Sequence, residues 1–321
     1  MKGNRRTVVF ASAVLLLSAC CGRSGVTGDS ATRNFPEVSV PSIYTEREDV
    51  EDYVLAHFWD TFLDTSAEYR CDSAYVAGVE RKQLASEVAS YLSILQSVSP
   101  DKALESISAF YRSLEDFQKA DTTSNAYTFV TEAVEYYLYD PNSEIRNEDL
   151  YIPFASGMAA SPFVGDGKRV SYSHAVEMCS LNRPGTPAAD FRFTDTEGRS
   201  HTLYGEKSPL TVLIFVNPGC KACEDVVGAF ESDKVFSLIS SGWIQILGIY
   251  IDEETDKWKE GSDDLPAHWL NGCDPDGVIR RDQIYSVRAI PSIYILDENK
   301  NVLLKDAPLS RVVTFLENIP G

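Results

Sequence analysis

Positive charge is scarce in this sequence, in which 29 lysines and arginines stand against 48 aspartates and glutamates for a formal net charge of −19. Contacts to nucleic-acid phosphates need clustered basic side chains, so nucleic acid is excluded as an expected partner. We interpret the acidic surface as a solubility feature. The hydrophobic fraction of 44% is that of an ordinary globular protein, and 321 residues are enough for two domains.

Long apolar runs are also lacking. The one at the N-terminus, Val8–Leu17, is too short to span a bilayer comfortably, and the rest of the chain is expected to be soluble. The basic segment Lys2–Arg6 precedes this run, and the small residues Ser18 and Ala19 follow it. This order is typical of a secretory signal, so residues 1–19 are predicted to be a signal peptide of an exported protein.

A cysteine, Cys20, comes directly after the small residues. The segment Leu17-Ser18-Ala19-Cys20 resembles the lipobox of bacterial lipoproteins. The resemblance implies cleavage before Cys20 and attachment of membrane lipid to its sulfur and its new amino group. Several acyl chains would anchor the protein stably, since each buried methylene contributes about 0.8 kcal/mol. We therefore expect a lipid-anchored cell-envelope protein that faces the periplasm; the alternative is an ordinary signal peptide that happens to contain a cysteine.

Residues 20–45 are predicted to be a tether, because Gly22–Thr32 is rich in Gly, Ser and Thr without apolar periodicity. Residues 46–182 have helical periodicity, as in Leu84, Val88 and Leu92. The aromatic residues of this region are interpreted as core, because they fall on its apolar stripes. Helices are predicted over 84–98, 103–117, 129–137, 147–158 and 168–181.

Asn182–Pro187 interrupts the helical pattern, and residues 183–321 form a second predicted domain in which short strands alternate with helices. Leu210–Val216 is a continuous apolar run, typical of a central buried strand. Turn residues at Thr196–Arg199 and Asp297–Lys300 predict two hairpins. The predicted fold class is therefore α + α/β, an N-terminal all-helical domain followed by an α/β sandwich with a mixed central sheet.

A pair of cysteines carries the predicted chemistry. Cys220 and Cys223 lie where the first central strand ends and a helix begins. Free amide protons and the helix dipole favour negative charge at a helix N-terminus, which supplies the reactive thiolate. Cys220 is therefore the predicted attacking residue, and Cys223, within the helix, the predicted resolving residue of a thiol–disulfide cycle that needs no cofactor.

The segment Ala289-Ile290-Pro291-Ser292, directly before an apolar strand, resembles the cis-proline loop of thioredoxins. Gly185–Phe191 and the following hairpin resemble the start of exported thioredoxin-like proteins of the TlpA/ResA group. These resemblances imply a thioredoxin-like domain over residues 183–321, with Ile290 and Pro291 facing the dithiol and binding the substrate strand. They imply disulfides of exported proteins as substrates, and a membrane or periplasmic electron donor whose identity stays open.

The helical region carries a resemblance of its own. The segment Tyr137–Glu148 is similar to a helical domain found ahead of thioredoxin-like domains in Bacteroidota-type lipoproteins. That domain implies no function for residues 46–182.

Two departures from the thioredoxin pattern bear on mechanism. Gly219 precedes Cys220 where these proteins often have Trp, and Leu210–Val216 contains no carboxylate where thioredoxin has a buried Asp. Glu224 and Asp225 follow the dithiol but are expected to be solvated on the helix. The proton acceptor for Cys223 and the direction of electron flow therefore stay open.

The sequence leaves two possible roles open for each of the other cysteines. Cys71 and Cys179 are a candidate structural disulfide, since disulfides persist outside the cytoplasm, or else two isolated thiols. Cys273 is either a third redox cysteine or an unpaired structural one. A zinc site built from the dithiol, His268 and Cys273 is disfavoured, because a second C-x-x-C pair is lacking.

Two other functions compete with the oxidoreductase. A thiol peroxidase would carry Thr three residues before its reactive cysteine, where this chain has Asn217. The other competitor is a binding or structural lipoprotein with a redox-inactive thioredoxin-like domain, which the lack of a carboxylate in Leu210–Val216 keeps open.

Overall fold

The computed structural model describes residues 31–319. The predicted signal peptide and the predicted lipidation site, Cys20, lie outside the described residues. No helix within 31–319 is long and apolar enough to cross a membrane.

The first domain is built from helices that pack side by side around one core. Between its first two helices lies a short antiparallel hairpin. The elements are α1 (Arg47–His57), β1 (Tyr75–Val76), β2 (Val79–Glu80), α2 (Arg81–Leu95), α3 (Pro100–Ala120), α4 (Ala126–Tyr139), α5 (Glu148–Ala160) and α6 (Asp166–Cys179). The five predicted helices correspond to α2–α6, whereas α1 and the hairpin were missed.

The helix boundaries follow local chemistry. Pro100 occupies the first turn of α3, where its missing N–H removes no helical hydrogen bond. The side-chain oxygen of Asn147 accepts a hydrogen bond from the N–H of Leu150 and so caps α5. The capped end of α5 matters for the second domain, because its first residue, Glu148, is buried at the domain junction.

Aromatic side chains fill the core of the helical domain. The rings of Trp59 and Phe110 stack with their centroids 4.1 Å apart. Phe35 joins them, with its ring centroid 5.4 Å from that of Trp59, although it lies within the predicted tether. The N–H of Arg33 also donates to the carbonyl of Gly78. The tether prediction was therefore wrong for this segment, because a single buried Phe has no periodicity to reveal it.

The second domain has helices on both sides of a mixed sheet, so the predicted fold class is confirmed. Its strands are β3 (Arg192–Asp195), β4 (Ser200–Thr202), β5 (Leu210–Phe215), β6 (Ile244–Tyr250), β7 (Leu270–Cys273), β8 (Ser292–Asp297) and β9 (Val302–Leu304). Its helices are α7 (Lys221–Phe230), α8 (Asp233–Ser240), α9 (Thr255–Gly261), α10 (Val278–Arg281) and α11 (Leu309–Glu317). The strand order within the described residues is β4-β3-β7-β6-β5-β8-β9.

Strand β5 lies inside the sheet, between β6 and β8, and all six of its residues are buried. It pairs in parallel with β6 and antiparallel with β8. Its side chains alternate between the two faces, so that Val212 and Ile214 join one core and Leu213 and Phe215 the other. Such two-sided burial explains the continuous apolar run in the sequence.

A partly buried charge cluster anchors the β3–β4 hairpin. His201 lies between two carboxylates, with Nε2 2.9 Å from Asp195 Oδ2 and Nδ1 2.8 Å from Glu206 Oε1. Its hydrogen bond to Asp195, followed by the one to Glu206, raises the pKa of His201 above its usual value. Protonated His201 therefore stabilises the folded hairpin.

This arrangement predicts a pH-dependent stability. Because the folded-state pKa of His201 is raised, its contribution is complete below the unfolded-state pKa of about 6.5 and disappears as the pH rises through the folded-state pKa. His201→Gln should remove about 1 kcal/mol of unfolding free energy near pH 6 and much less near pH 9. Urea unfolding at both pH values measures the difference, with the exposed His174→Gln as the control. An equal loss at both pH values would contradict this assignment.

Candidate functional site

Cys220 lies at the N-terminal cap of α7, directly after the loop that follows β5. Its side chain is half-buried, whereas Cys223 is buried within the first turn. The N–H of Cys223 donates to the carbonyl of Cys220 at 2.9 Å, which holds the two residues in one turn. The more accessible sulfur is therefore that of Cys220.

Burial, the largest cause, raises the pKa of the Cys223 thiol to about 12. The neighbouring Cys220 and Glu224 raise it further, while a hydrogen bond from the backbone of Asn217 opposes the shift. Cys223 is thus protonated at neutral pH. Its protonated, buried state fits the predicted role of a resolving cysteine, and the greater exposure of Cys220 fits that of the attacking one.

The glycine before Cys220 has a conformational role. Gly219 has φ +70°, in the left-handed region that residues with a side chain rarely adopt. A Trp at this position would be strained in the same backbone. The positive φ therefore accounts for glycine rather than Trp before Cys220.

The loop before β8 faces the attacking cysteine. The Ile290–Pro291 peptide bond is cis. The sulfur of Cys220 lies 3.9 Å from the carbonyl oxygen of Ile290. Both Ile290 and Pro291 are half-buried. The pairing of Phe215 with Ser292 in the β5–β8 ladder brings the two segments together, since each residue borders one half of the site.

A carboxylate lies beside the site, although β5 contains none. Asn217 Nδ2 donates to Asp252 Oδ2 at 3.0 Å, and Arg280 Nε lies 2.7 Å from Asp252 Oδ1. Asn217 Oδ1 is buried without a hydrogen-bond partner among the described residues. Sequence analysis missed Asp252, whose position just after the parallel strand β6 was the available signal. Glu224 and Asp225 are exposed, as expected.

Comparison with known proteins gives the family. The family model described as "Domain of unknown function (DUF5106)" matches residues 18–182. A crystal structure of a thioredoxin-like protein from Bacteroides caccae is 30% identical, with a TM-score of 0.77, over 90% of this chain and 100% of that one. The chain belongs to the DUF5106 family and is a thioredoxin-like protein. A search of curated proteins found no match.

Two further solved structures resemble less than half of this chain. The C-terminal domain of an uncharacterized protein from Bacteroides fragilis is 40% identical, with a TM-score of 0.41, over 43% of this thioredoxin-like protein and 99% of that chain. A domain of a possible thiol-disulfide isomerase from Cytophaga hutchinsonii is 22% identical, with a TM-score of 0.36, over 43% and 93% of the respective chains.

The candidate disulfide of this thioredoxin-like protein is not formed, because Cys71 and Cys179 are both free thiols. Cys71 is exposed, with its sulfur 3.8 Å from Ser124 Oγ just before α4. Cys179 is buried, and the negative charge of Glu148 at the start of α5 contributes to its raised pKa after burial itself. The start of α4 packs at the other end of α5, where the rings of Tyr127 and Phe163 are 5.7 Å apart. A helix of 13 residues spans about 20 Å, far beyond disulfide reach.

The residues of the disfavoured zinc site do not converge. Cys273 is buried on β7 beside Tyr250 and Trp258, whereas the sulfur of Cys220 lies near Ile290. His268 lies 3.9 Å from Glu231. Within residues 31–319 no group of three or more His, Cys, Asp or Glu side chains is arranged to hold a metal ion.

A cavity lies away from the dithiol, at the junction of the two domains. It has a volume of about 540 Å³ and opens between the two domains beside Arg146, Glu148 and Arg311. Neither cysteine of the pair lines it. The half-buried Cys220 is therefore not part of this cavity.

Helix α9 packs closely against the loop before α7, so a larger residue at Gly261 is predicted to destabilise the fold. A Cβ on Gly261 would lie 2.4 Å from Cβ of Pro218. Gly261→Ala should therefore displace Pro218 and cost about 1–3 kcal/mol of unfolding free energy. Gly228→Ala on α7 is the matched control, because a Cβ there meets open space and should stabilise by up to about 1 kcal/mol. Thermal unfolding compares the two, and equal stability would contradict the close contact.

Proposed function

We propose that this protein is an exported, lipid-anchored thiol–disulfide oxidoreductase that acts on disulfides of exported proteins. The observation that carries the proposal is the half-buried Cys220, which caps α7 and lies 3.9 Å from the Ile290 carbonyl, with Cys223 buried in the same turn. A single site thus contains a thiol to attack the disulfide, Cys220, a loop to bind the substrate, at Ile290, and a thiol to resolve the mixed disulfide, Cys223.

The proposed reaction has two thiol–disulfide exchanges. The Cys220 thiolate attacks one sulfur of the substrate disulfide, forms a mixed disulfide and releases the first substrate thiolate, which takes up a proton. The Cys223 thiolate then attacks the Cys220 sulfur and releases the second substrate thiolate, which is protonated in turn. The substrate gains two electrons, and the enzyme becomes the Cys220–Cys223 disulfide. A dithiol electron donor of the membrane or periplasm would restore the reduced enzyme.

The buried position of Cys223 orders these steps. With its pKa raised to about 12 by burial, Cys223 stays protonated while Cys220 attacks. It loses its proton only when the mixed disulfide has formed. The hydrogen bond from the Asn217 backbone favours the Cys223 thiolate at that stage. Asp252 accepts a hydrogen bond from the Asn217 side chain and so orients it.

Ile290 and Pro291 are proposed to bind the substrate. An extended peptide can pair its backbone with an exposed loop or strand edge, which gives affinity without demanding a sequence. A substrate strand that accepts such pairing at Ile290 would present its disulfide to Cys220. This mode suits an enzyme that acts on many exported proteins.

Dithiothreitol-driven insulin reduction tests the chemistry. Cys220→Ser and Cys223→Ser should each lower the rate to the uncatalysed background, because each removes one of the two exchanges. Cys71→Ser, at an exposed thiol outside the site, is the control and should keep the full rate.

The same variants distinguish the competing binding function. Cys223→Ser should also trap partner proteins as mixed disulfides through Cys220, since the resolving step is missing. Equal insulin reduction by wild type and the Cys220→Ser/Cys223→Ser double variant would contradict the proposal and favour a redox-inactive binding protein.

The lipid anchor has its own test. Cys20→Ala should abolish incorporation of a labelled fatty acid and move the expressed full chain from the membrane to the soluble fraction. Cys21→Ala is the matched control, because it removes the adjacent thiol and leaves the proposed attachment site. Undiminished labelling of Cys20→Ala would contradict lipidation at this residue.

A further inference from the structure

Five charged side chains are enclosed where the helical domain meets the thioredoxin-like domain. Glu148 begins α5 of the first domain, while Arg288 and Asp306 belong to the second. Arg146 and Lys305 complete the set, so that three cations face two anions. All five side chains are at most 14% exposed, and those of Glu148 and Lys305 are 3% exposed.

The contacts cross the domain junction in both directions. Glu148 Oε1 accepts from Arg288 Nε at 2.9 Å, and its Oε2 lies 2.7 Å from Lys305 Nζ. In return, Arg146 of the first domain donates to the carbonyls of Asp306 at 2.8 Å and Ala307 at 3.0 Å. A buried charge that loses its partner destabilises the fold strongly, so this network fixes one geometry.

The same network holds both ends of the loop that faces the dithiol. Arg288 Nη2 and Ser292 Oγ both donate to Asp306, at 3.0 Å and 2.8 Å. Between them lies Ile290, whose carbonyl oxygen is 3.9 Å from the Cys220 sulfur. Glu148 accepts a second hydrogen bond from the loop, from Ser286 Oγ at 3.3 Å.

We infer that Glu148 of the helical domain is a positioning residue for the redox site, which fixes the segment 286–292 against Cys220 and thereby supports binding of the substrate strand. The inference rests on the proposed function and assigns the helical domain a part in it. Without Glu148, Arg288 would keep one carboxylate partner, Asp306, within the described residues. The loop would still be supported by the hydrogen bond from the Tyr294 hydroxyl to the Ser286 carbonyl, so it would loosen rather than unfold.

The choice of substrate separates positioning from chemistry. A disulfide-bonded peptide must pair with the loop, whereas a small aromatic disulfide such as 5,5′-dithiobis(2-nitrobenzoate) needs only the Cys220 thiolate. A misplaced contact of about 1 Å can cost as much as about 100-fold in rate. For Glu148→Gln we expect KM for the peptide disulfide to rise about tenfold with kcat little changed, and the rate with the small disulfide to stay at the wild-type value.

Asp149→Asn is the matched control. Asp149 lies in the same turn of α5 and also crosses the junction, through Arg183 Nε at 2.6 Å, but makes no hydrogen bond or ion pair with the segment 286–292. It should leave both substrates unaffected. Glu148→Asp, which keeps the charge at a shorter reach, should recover part of the lost peptide affinity.

Hydrogen exchange of the backbone amides in 286–292 provides a readout that needs no activity. Exchange there should quicken in Glu148→Gln and not in Asp149→Asn, with β5 unchanged in both. Should Glu148→Gln fail to fold, Ser286→Ala replaces it in this comparison, because it removes the hydrogen bond from Ser286 Oγ to Glu148 and leaves the carboxylate with Arg288 and Lys305.

The outcomes separate the two proposals. A wild type that reduces neither disulfide overturns the proposed function, and the exchange data alone then decide whether Glu148 holds the loop. An active wild type with identical KM and loop exchange in Glu148→Gln and Asp149→Asn overturns the present inference. Equal losses with both disulfides, or faster exchange throughout the chain, also overturn it, since they indicate a general structural role.

Discussion

The antiparallel pairing of β5 with β8 is the constraint on which the candidate site depends. Phe215 ends β5 opposite Ser292, which begins β8. The chain that leaves β5 therefore reaches Cys220 just where the chain that enters β8 passes through Ile290. A shift of one residue in this register would turn each buried side chain of β5 to the other face of the sheet. Core packing and site geometry are thus specified by the same hydrogen bonds.

The second half of this geometry comes from outside the sheet. Arg288 and Ser292 flank the loop and share Asp306, and Glu148 of the helical domain holds Arg288. An apolar junction of the same size would be at least as stable, because buried ion pairs lose much of their attraction to desolvation. A buried ion pair is directional, unlike an apolar contact, since each charged group must meet its partner at a fixed distance. The junction therefore favours a specific loop position over maximal stability.

Sequence patterns revealed those features of the fold and the site that a few neighbouring residues specify. The apolar run of β5, the C-x-x-C at the start of α7 and the Ile290-Pro291 before β8 are each visible within a few residues, and the fold class followed from their order. Glu148 and Arg288 lie 140 residues apart, and nothing near either residue indicates the other. Cys71 and Cys179 show the reverse error, because two cysteines in one domain suggested a bond that the length of α5 forbids. Phe35 and Asp252 were missed, because a single buried ring or a single acidic residue after a strand produces no periodic pattern in the sequence.

The buried state of Cys223 bears on the missing carboxylate of β5. Thioredoxin-type chemistry needs a proton to leave the resolving cysteine, and here burial raises the pKa of that thiol to about 12. A charged Asp inside β5 would itself be costly in a strand whose six residues are all buried. The chain instead keeps its acid, Asp252, outside the strand, neutralised by Arg280 and joined to the site through Asn217. Asn217 Oδ1, three residues before Cys220, is a buried neutral acceptor without a hydrogen-bond partner among the described residues. A neutral amide carries a smaller desolvation cost than a carboxylate, and this accounts for a β5 that is buried along its whole length and contains no carboxylate.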